Sequence, residues 1–348
     1  MPEVSRRTLL ASALAVPLLV AGCSPTPAPD AAPPGDVPTD DAPTGGPAVD
    51  TASLTTLVPF GPTGAHWPSR TPTPRDKFEF VVDVDPTWAA IADGITRANN
   101  AGAAKRAVVR IRPGALPGYG AGSTSKSVLK NVGKLGRKTR VLVVPRDGVG
   151  TVTLAASIRL EMVRGVSFVG IWGFPYSAVF SAAQDFAWAW SKGQAFNITA
   201  NSDEPTTDVE LVECVTPDAR LNDQDVWGFR TAGQTMTGVS VIGCYVAPSY
   251  KAAGSSAHCD TLQLSGTHAA SKVLIKDSAL FASTNAAVIP FDRASDVVFD
   301  HTLVVGGDRM LQRFPLPEGA NAFTSGYPSA VNGSGTTDIL SAVNSTFL

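Results

Sequence analysis

Charged residues and cysteines are scarce in this chain of 348 residues. Lys, Arg, Asp and Glu together make up 17% of the sequence, and the formal net charge is −2. Nucleic-acid binding requires Lys and Arg clustered on one face, and without such a cluster we expect no nucleic-acid partner. One of the four cysteines lies near the N-terminus, which leaves three in the rest of the chain. This odd number excludes a framework in which every cysteine is paired.

The apolar run near the N-terminus is too short to span a bilayer. It extends from Leu9 to Val20, whereas a spanning helix needs roughly 20 apolar residues. The run follows Arg6 and Arg7, and a charged region before a short apolar region is typical of an export signal. The consecutive arginines resemble the twin-arginine signal, which exports proteins that have already folded.

The export signal ends in Val20-Ala21-Gly22-Cys23, a segment that resembles a lipobox. This resemblance implies that residues 1–22 are removed and that diacylglycerol is attached to Cys23. An ordinary signal peptide with a chance cysteine is the alternative. Acyl chains bind membranes because each buried methylene contributes about 0.8 kcal/mol. We therefore expect an exported protein, anchored by lipid to the extracellular face of the cell membrane.

Residues 23–53 consist mostly of Pro, Ala, Asp, Thr and Gly, with almost no large apolar side chain. Such a segment cannot bury enough surface to offset its ordering entropy, so we expect it to be disordered. Its prolines favour an extended conformation of about 3.1 Å per residue. We interpret residues 23–53 as a lipidated tether and residues 54–348 as the folded domain.

The folded domain contains a sequence phrase that returns six times. A small or charged residue precedes alternating apolar residues, whose β-branched and aromatic side chains suit the face of a strand. The copies are Gly165–Phe168, Asp208–Leu211, Gly238–Val241, Lys272–Ile275, Asp296–Phe299 and Asp338–Ser341. Their irregular spacing argues against a helical repeat of fixed period and suits β-coils with loops of variable length.

A second series of alternating segments interleaves with the first. Its members are Ile158–Leu160, Phe196–Ile198, Phe229–Thr231, Leu262–Leu264 and Val288–Pro290. Two strand types per coil predict an all-β fold, a right-handed parallel β-helix in which coils stack about 4.8 Å apart. A β-sandwich would also show alternation, but it would not explain why the phrase returns with the same interleaved partner.

A short capping helix is predicted before the first coil. Asp85 can cap a helix opened by Pro86, and Gly102 can end it. Its apolar face consists of Trp88, Ile91, Ile95 and Ala98. The strand Ala107–Ile111 follows, and the helix would cover the open apolar end of the solenoid. Over roughly residues 78–348, this arrangement resembles the pectate-lyase-like superfamily of β-helix proteins.

Stacked coils place equivalent residues in columns. Cys214, Cys244, Ser278 and Thr302 are predicted to form an internal ladder at a bend. Neighbouring Cα atoms about 4.8 Å apart would permit a disulfide between Cys214 and Cys244. Parallel stacked side chains rarely meet the dihedral requirement, so we favour free thiols and leave the disulfide as the alternative.

Long polar side chains are predicted along an outward column of the second strand series. The expected substrate-binding residues are Arg159, Asn197, Arg230 and Gln263, followed by Ile289, with Gln312 and Arg313 near the next coil. Such a face can bind an extended anionic polysaccharide, because arginine pairs with carboxylates and amides bond hydroxyls. A solvated sheet face is the alternative.

The sharpest local motif lies in Ser256–Gln263, where the order His-x-Asp-x-x-Gln is similar to one found in secreted pectate-lyase-like proteins. In the preceding coil, Asp225 occupies the position that corresponds to His258. His258, Asp260 and Asp225 are therefore predicted to converge as catalytic residues, since histidine near carboxylates suits proton transfer at neutral pH. A structural histidine is the alternative. We expect His66, His268 and His301, which lack such neighbours, to be structural.

Two enzymatic reactions and one binding role fit this pattern. In a lyase, Arg230, Arg159 or a calcium ion held by Asp225 and Asp260 would neutralise a uronate, while His258 removes the neighbouring proton. In a glycoside hydrolase, the two aspartates would be the paired carboxyl groups. The polygalacturonase Asn-Thr-Asp phrase and a pectate-lyase calcium cluster are both missing from the sequence. A glycan-binding or adhesive surface protein would use the same groove without turnover.

Overall fold

The computed structural model describes residues 65–118, 126–200, 204–290, 293–321, 328–333 and 340–348. These residues belong to the compact unit Asp50–Leu348. The predicted signal of residues 1–22, the lipidated Cys23 and the tether of residues 23–53 lie outside the described residues. Within the described ranges, neither helix is long and apolar enough to cross a membrane.

Three parallel sheets run along the domain, and neighbouring strands of each sheet come from successive coils. The ten strands of the first sheet are Phe80–Val84, Ala107–Ile111, Val141–Pro145, Arg164–Val169, Gln184–Ala189, Thr206–Val212, Met236–Ile242, Ala270–Lys276, Ala294–Asp300 and Leu340–Val343. The eight strands of the second sheet are Leu129–Lys130, Ile158–Glu161, Ser177–Ser181, Ala195–Thr199, Trp227–Thr231, Asp260–Gly266, Ala286–Ile289 and Ser329–Val331. The five strands of the third sheet are Val215–Thr216, Tyr245–Val246, Ala279–Phe281, Leu303–Val305 and Thr346–Phe347.

This topology is the predicted all-β parallel β-helix. Two small parallel pairs complete the coils: Gly114–Leu116 with Val152–Leu154, and Arg220–Leu221 with Ser249–Tyr250. The prediction of two strand types per coil was wrong, because each of the later coils contributes to three sheets. Strands of two or three residues leave no alternation in the sequence that could reveal the third sheet.

The long interval between the repeats at Gly165 and Asp208 contains a further coil. Its strand Gln184–Ala189 pairs with Arg164–Val169 on one side and with Thr206–Val212 on the other. All six of its residues are buried, so it reads as a continuous apolar run without alternation. Inside the solenoid, Phe168, Phe180 and Trp188 pack with ring centroids 5.2 to 5.5 Å apart.

The first residue of each of the five repeats that the structure describes has a left-handed backbone, and so does the matching residue Asp185 of the further coil. The residues Gly165, Asp185, Asp208, Gly238, Lys272 and Asp296 all have φ between 48° and 72°. Glycine adopts this conformation without steric cost, and aspartate tolerates it better than most residues. This constraint explains why a small or charged residue opens the described copies of the phrase.

A second left-handed position follows each later strand of the first sheet and turns the chain toward the next sheet. It holds Gly170, Trp190, Glu213, Gly243, Asp277, His301 and Asn344. The residue after it forms the predicted ladder: the Cys214 backbone N–H donates to Cys244 Sγ (3.3 Å), and the Cys244 N–H donates to Ser278 Oγ (3.0 Å). Both thiols are free and buried, and burial raises the pKa of Cys214.

The helix Trp88–Asn100 covers the end of the solenoid near the first strands. Trp88, Ile91, Ile95 and Ala98 are buried in the main core, as predicted. Its N-cap is Thr87, whose hydroxyl accepts a hydrogen bond from Ala90 N–H, and not the predicted Asp85. Asp85 pairs instead with Arg112, at 2.6 Å. A second short helix, Gly307–Arg313, follows Leu303–Val305, which is the fourth of the five strands of the third sheet.

The outer face of the first sheet is crossed by residues 65–71, which we term the N-terminal strap. Ser69 N–H donates to Glu210 Oε2 (2.8 Å), and the Thr71 hydroxyl lies 2.6 Å from that of Ser167. The expectation that His66 lacks acidic neighbours was wrong. Its Nδ1 lies 2.7 Å from Glu213 Oε1, and its Nε2 lies 3.0 Å from Asp277 Oδ2.

Candidate functional site

The predicted catalytic residues meet at the turn that enters the second sheet. Trp227 pairs with Leu262 in the ladder, which places Asp225 beside Asp260. The predicted register was therefore wrong by two residues, since it set Asp225 beside His258. Two hydrogen bonds fix the pair: Val226 N–H donates to the Asp260 carbonyl (2.8 Å), and Asp260 N–H donates to Asp225 Oδ1 (3.0 Å). The three side chains nevertheless converge, with one ligand atom from each lying within 4.8 Å of the others.

His258 and Asp260 form a pair with one exposed and one buried member. His258 Nδ1 lies 2.8 Å from Asp260 Oδ2. The histidine side chain is 58% exposed, whereas the aspartate side chain has no exposed surface. A ligand in solution can therefore reach the imidazole but not the carboxylate behind it.

The carboxylate of Asp260 accepts two further side-chain donors. Asn285 Nδ2 donates to Oδ1 (2.8 Å), and Gln263 Nε2 lies 3.4 Å from Oδ2. Burial raises the pKa of Asp260, while the Asn285 donor and the nearby His258 oppose the rise and Asp225 adds to it. The sequence did not predict Asn285. Comparing the motif with the coil above, where Ala286 pairs with Asp260, would have placed Asn285 at this turn.

Arg230 reaches the site from further along its strand. It stacks on Thr199 and Ser265, and Gly228 occupies the position between Asn197 and Gln263. The prediction that Arg230 shares their column was therefore wrong. Its guanidinium extends back across Gly228 to Asp225 Oδ2, at 2.9 Å. The Arg230 side chain is 52% exposed and that of Asp225 is 8% exposed, so the arginine is open to a ligand.

The remaining predicted groove residues do not form one continuous polar column. Arg159 stacks on Val179, an apolar residue that separates it from Asn197. Arg313 lies elsewhere, with its guanidinium 4.9 Å from the centroid of the Phe314 ring. Its charge also acts on Tyr245 of the third sheet, where it opposes the rise in pKa that burial causes. The structure thus gathers Asn197, Arg230 and Gln263 near the site and leaves Arg159 and Arg313 apart from it.

The other two histidines that were expected to be structural lie outside this cluster. His268 Nδ1 lies 3.0 Å from the hydroxyl of Thr267. His301 Nδ1 lies 2.6 Å from Asp300 Oδ1, so this histidine has an acidic neighbour that the sequence analysis did not assign.

A calcium ion does not fit the converging residues. Calcium takes six to eight oxygen ligands, and this cluster supplies two carboxylates and one imidazole. Each of the four carboxylate oxygens already accepts a donor from a described residue. The donors are Asp260 N–H and Arg230 for Asp225, and Asn285 and Gln263 for Asp260. A guanidinium at 2.9 Å would also repel a divalent cation.

Comparisons with known proteins identify no family. The sequence matches no protein-family model and no curated protein. Among solved structures, it is similar to the A-module of the mannuronan C-5 epimerase AlgE6 from Azotobacter vinelandii. The identity is 10%, the match covers 75% of this chain and 87% of that chain, and the TM-score is 0.26. At this TM-score, no conclusion about this chain rests on the likeness.

Proposed function

We propose that this domain is a polysaccharide-active enzyme that removes a proton from uronate-containing glycans in a lyase-like reaction. The pairing of an exposed His258 imidazole with the fully buried Asp260 carboxylate carries this proposal. A carboxylate bonded to Nδ1 orients the ring and stabilises its protonated form, which suits the opposite nitrogen, Nε2, to act as a general base.

The proposed reaction uses His258 as the base and Arg230 as the neutralising cation. Nε2 takes the proton from C5 of the uronate, which lies next to the carboxylate. The electron pair of that C–H bond forms a double bond between C4 and C5, and the C4–O bond breaks. The departing oxygen takes a proton from water, and His258 afterwards releases its proton to solvent. The Arg230 guanidinium, which is half exposed, would pair with the uronate carboxylate and stabilise the charge that develops there.

The geometry supports a lyase over a glycoside hydrolase. A hydrolase needs two carboxyl groups on either side of the scissile bond, one donating a proton and one attacking or activating water. Here the side chains of Asp225 and Asp260 are 8% and 0% exposed, and both accept hydrogen bonds from the protein. Neither carboxylate is placed to flank a sugar linkage.

The alternative function is a glycan-binding surface protein that uses the same groove without turnover. Convergence of His258, Asp260 and Asp225, with the histidine exposed, favours turnover over binding alone.

We also propose that the lipid on Cys23 and the tether of residues 23–53 hold the domain at the extracellular face of the membrane. Replacing Cys23 by serine should then release the protein from the membrane fraction.

A panel of acidic polysaccharides tests the proposed reaction. The full chain would be incubated with mannuronan, guluronan, glucuronan and polygalacturonate, and the ultraviolet absorbance of the unsaturated product would be followed. A rise on at least one substrate supports the proposal. New reducing ends without that absorbance would indicate a hydrolase. Binding to a polysaccharide without either product would indicate the adhesive role and overturn the enzymatic one.

Gly228→Ala should weaken substrate binding by displacing Arg230. A Cβ atom at this position would lie 3.0 Å from Arg230 Nε and 3.3 Å from Asn197 Oδ1. The Arg230 side chain must then shift by a few tenths of an ångström, which strains its contact with Asp225. We expect KM to rise severalfold, roughly the effect of weakening one charged hydrogen bond, with a smaller change in kcat. An unchanged KM on the active substrate would contradict the role assigned to Arg230.

A further inference from the structure

We propose that Asn285 is a positioning residue that fixes the tautomer of His258 through the carboxylate of Asp260. This inference rests on the proposed function, because it explains how the same site would keep its base ready. Asn285 does not touch the imidazole. It acts through the hydrogen bond from its Nδ2 to Asp260 Oδ1, which measures 2.8 Å.

The backbone of Asn285 is held on both sides by neighbouring coils. Its N–H donates to the Cys259 carbonyl (3.0 Å), and its carbonyl accepts a hydrogen bond from Ser329 N–H (3.2 Å). Its side-chain oxygen faces Asn332 Nδ2 at 3.4 Å, so its own NH₂ group is directed at Asp260. The coil above therefore supplies a donor at a fixed position behind the buried carboxylate.

This donor favours one of two protonation states of the Asp260–His258 pair, which differ by one proton taken up from solvent. If Asp260 is ionised, it accepts from Nδ1–H, and Nε2 has a free lone pair that can take a proton. If Asp260 is protonated, it donates to Nδ1, and a neutral ring must carry its hydrogen on Nε2. The second arrangement leaves no base facing the ligand.

Burial alone favours the second, inactive arrangement. Removing Asp260 from water raises its pKa, and the Asn285 donor is the largest of the influences that oppose this rise. An amide N–H stabilises an ionised oxygen more than a protonated one. Asn285 therefore favours the ionised carboxylate and, with it, the tautomer whose Nε2 is free.

The tautomer can be observed directly in the full chain. The sequence has four histidines, so labelling with ¹⁵N-histidine gives a pair of ring-nitrogen signals for each of four imidazoles, and the His258→Gln variant assigns one pair. At a pH where the ring is neutral, wild type should show hydrogen on Nδ1 of His258. In Asn285→Leu, a substantial fraction of the molecules should carry the ring hydrogen of His258 on Nε2. Asn285→Asp keeps the side-chain shape but replaces the donor with an acceptor, and it should shift the tautomer population in the same direction. This variant shows that the shift does not come from a packing defect.

Measurements of turnover, in the single variant and in a double variant with Asp260→Asn, complete the test. On the active polysaccharide, Asn285→Leu should lower kcat roughly tenfold, as the loss of outer hydrogen-bonding partners does at other active sites, with little change in KM. The same substitution made in Asp260→Asn should have no further effect on kcat, because both act through one contact. An unchanged tautomer in both Asn285 variants would overturn the positioning role. That result would not contradict the proposed function. A lack of turnover in wild type would contradict the proposed function, but the tautomer measurement would still test the role of Asn285.

Discussion

His258→Gln should reduce the rate of uronate elimination by about 10²- to 10⁴-fold, the usual contribution of a positioned general base. Glutamine can keep a hydrogen bond to Asp260 Oδ2 in place of Nδ1, which lies 2.8 Å from that oxygen in the wild type. It has no nitrogen that can accept a proton at neutral pH. The loss should therefore fall on kcat, with KM changed far less.

The controls for this prediction are His301→Gln and Asp260→Asn. His301 is similarly exposed and also contacts a carboxylate, but it lies outside the cluster, so its replacement should leave turnover unchanged. Asp260→Asn should lower kcat because it no longer orients the imidazole as an ionised acceptor. A His258→Gln enzyme with wild-type kcat would contradict the assignment of the base.

Asp260→Asn should also show that the loss of activity is not a loss of folding. Burial raises the pKa of Asp260, so at neutral pH the folded state pays a free-energy cost to keep this carboxylate ionised. A neutral amide removes that cost. We expect the unfolding midpoint in denaturant to stay the same or rise while turnover falls.

Arg140→Met should destabilise the domain by about 3–5 kcal/mol, the usual cost of removing one partner from a buried ion pair. The Arg140 side chain is 2% exposed. Its Nε lies 2.9 Å from Asp185 Oδ1, and its Nη1 lies 2.7 Å from Glu210 Oε1. Methionine fills much of the same volume but leaves both acidic side chains buried without this cation.

The N-terminal strap should loosen in the same variant. Arg140 Nη1 also donates to the carbonyl of Ser69 (3.2 Å), and Ser69 N–H donates to Glu210. Chemical denaturation measures the loss of stability, and limited proteolysis near residues 65–71 measures the release of the strap. Arg112→Met is the matched control, because the ion pair of Arg112 with Asp85 is exposed and such pairs contribute little. Equal midpoints for the two variants would contradict the predicted loss of stability, and equal rates of cleavage would mean that the strap does not depend on Arg140.

The sequence was sufficient to predict the stacking of coils. Each repeat combines a left-handed residue with an alternating strand, and both constraints are local enough to leave a trace in composition. The convergence of His258, Asp260 and Asp225 followed from that stacking. The pairing of Asp225 with Asp260 did not, because a shift of two residues leaves the alternation of a strand unchanged. The predicted alignment set Phe229 beside Leu262, whereas Phe229 pairs with Leu264.

Other features depend on contacts that no local pattern encodes. Arg230 stacks on Thr199 and Ser265 instead of in its expected column. Its side chain still reaches Asp225 because Gly228 has no side chain to block the path. His66 contacts Glu213 from 147 positions away in the chain. The third sheet consists of strands too short for alternation to detect. In each case, the missing information is the path of a side chain or loop in space.

The central claim is that this site removes the C5 proton of a uronate, and a kinetic isotope effect tests it most directly. The active polysaccharide would be prepared with deuterium at C5, and kcat would be compared with that of the unlabelled polymer. We predict that the labelled substrate reacts more slowly in wild type, and that His258→Gln removes the turnover of both. Cleavage of the labelled polymer with the C5 deuterium retained in the product would contradict the account, because no C5 proton would then be removed.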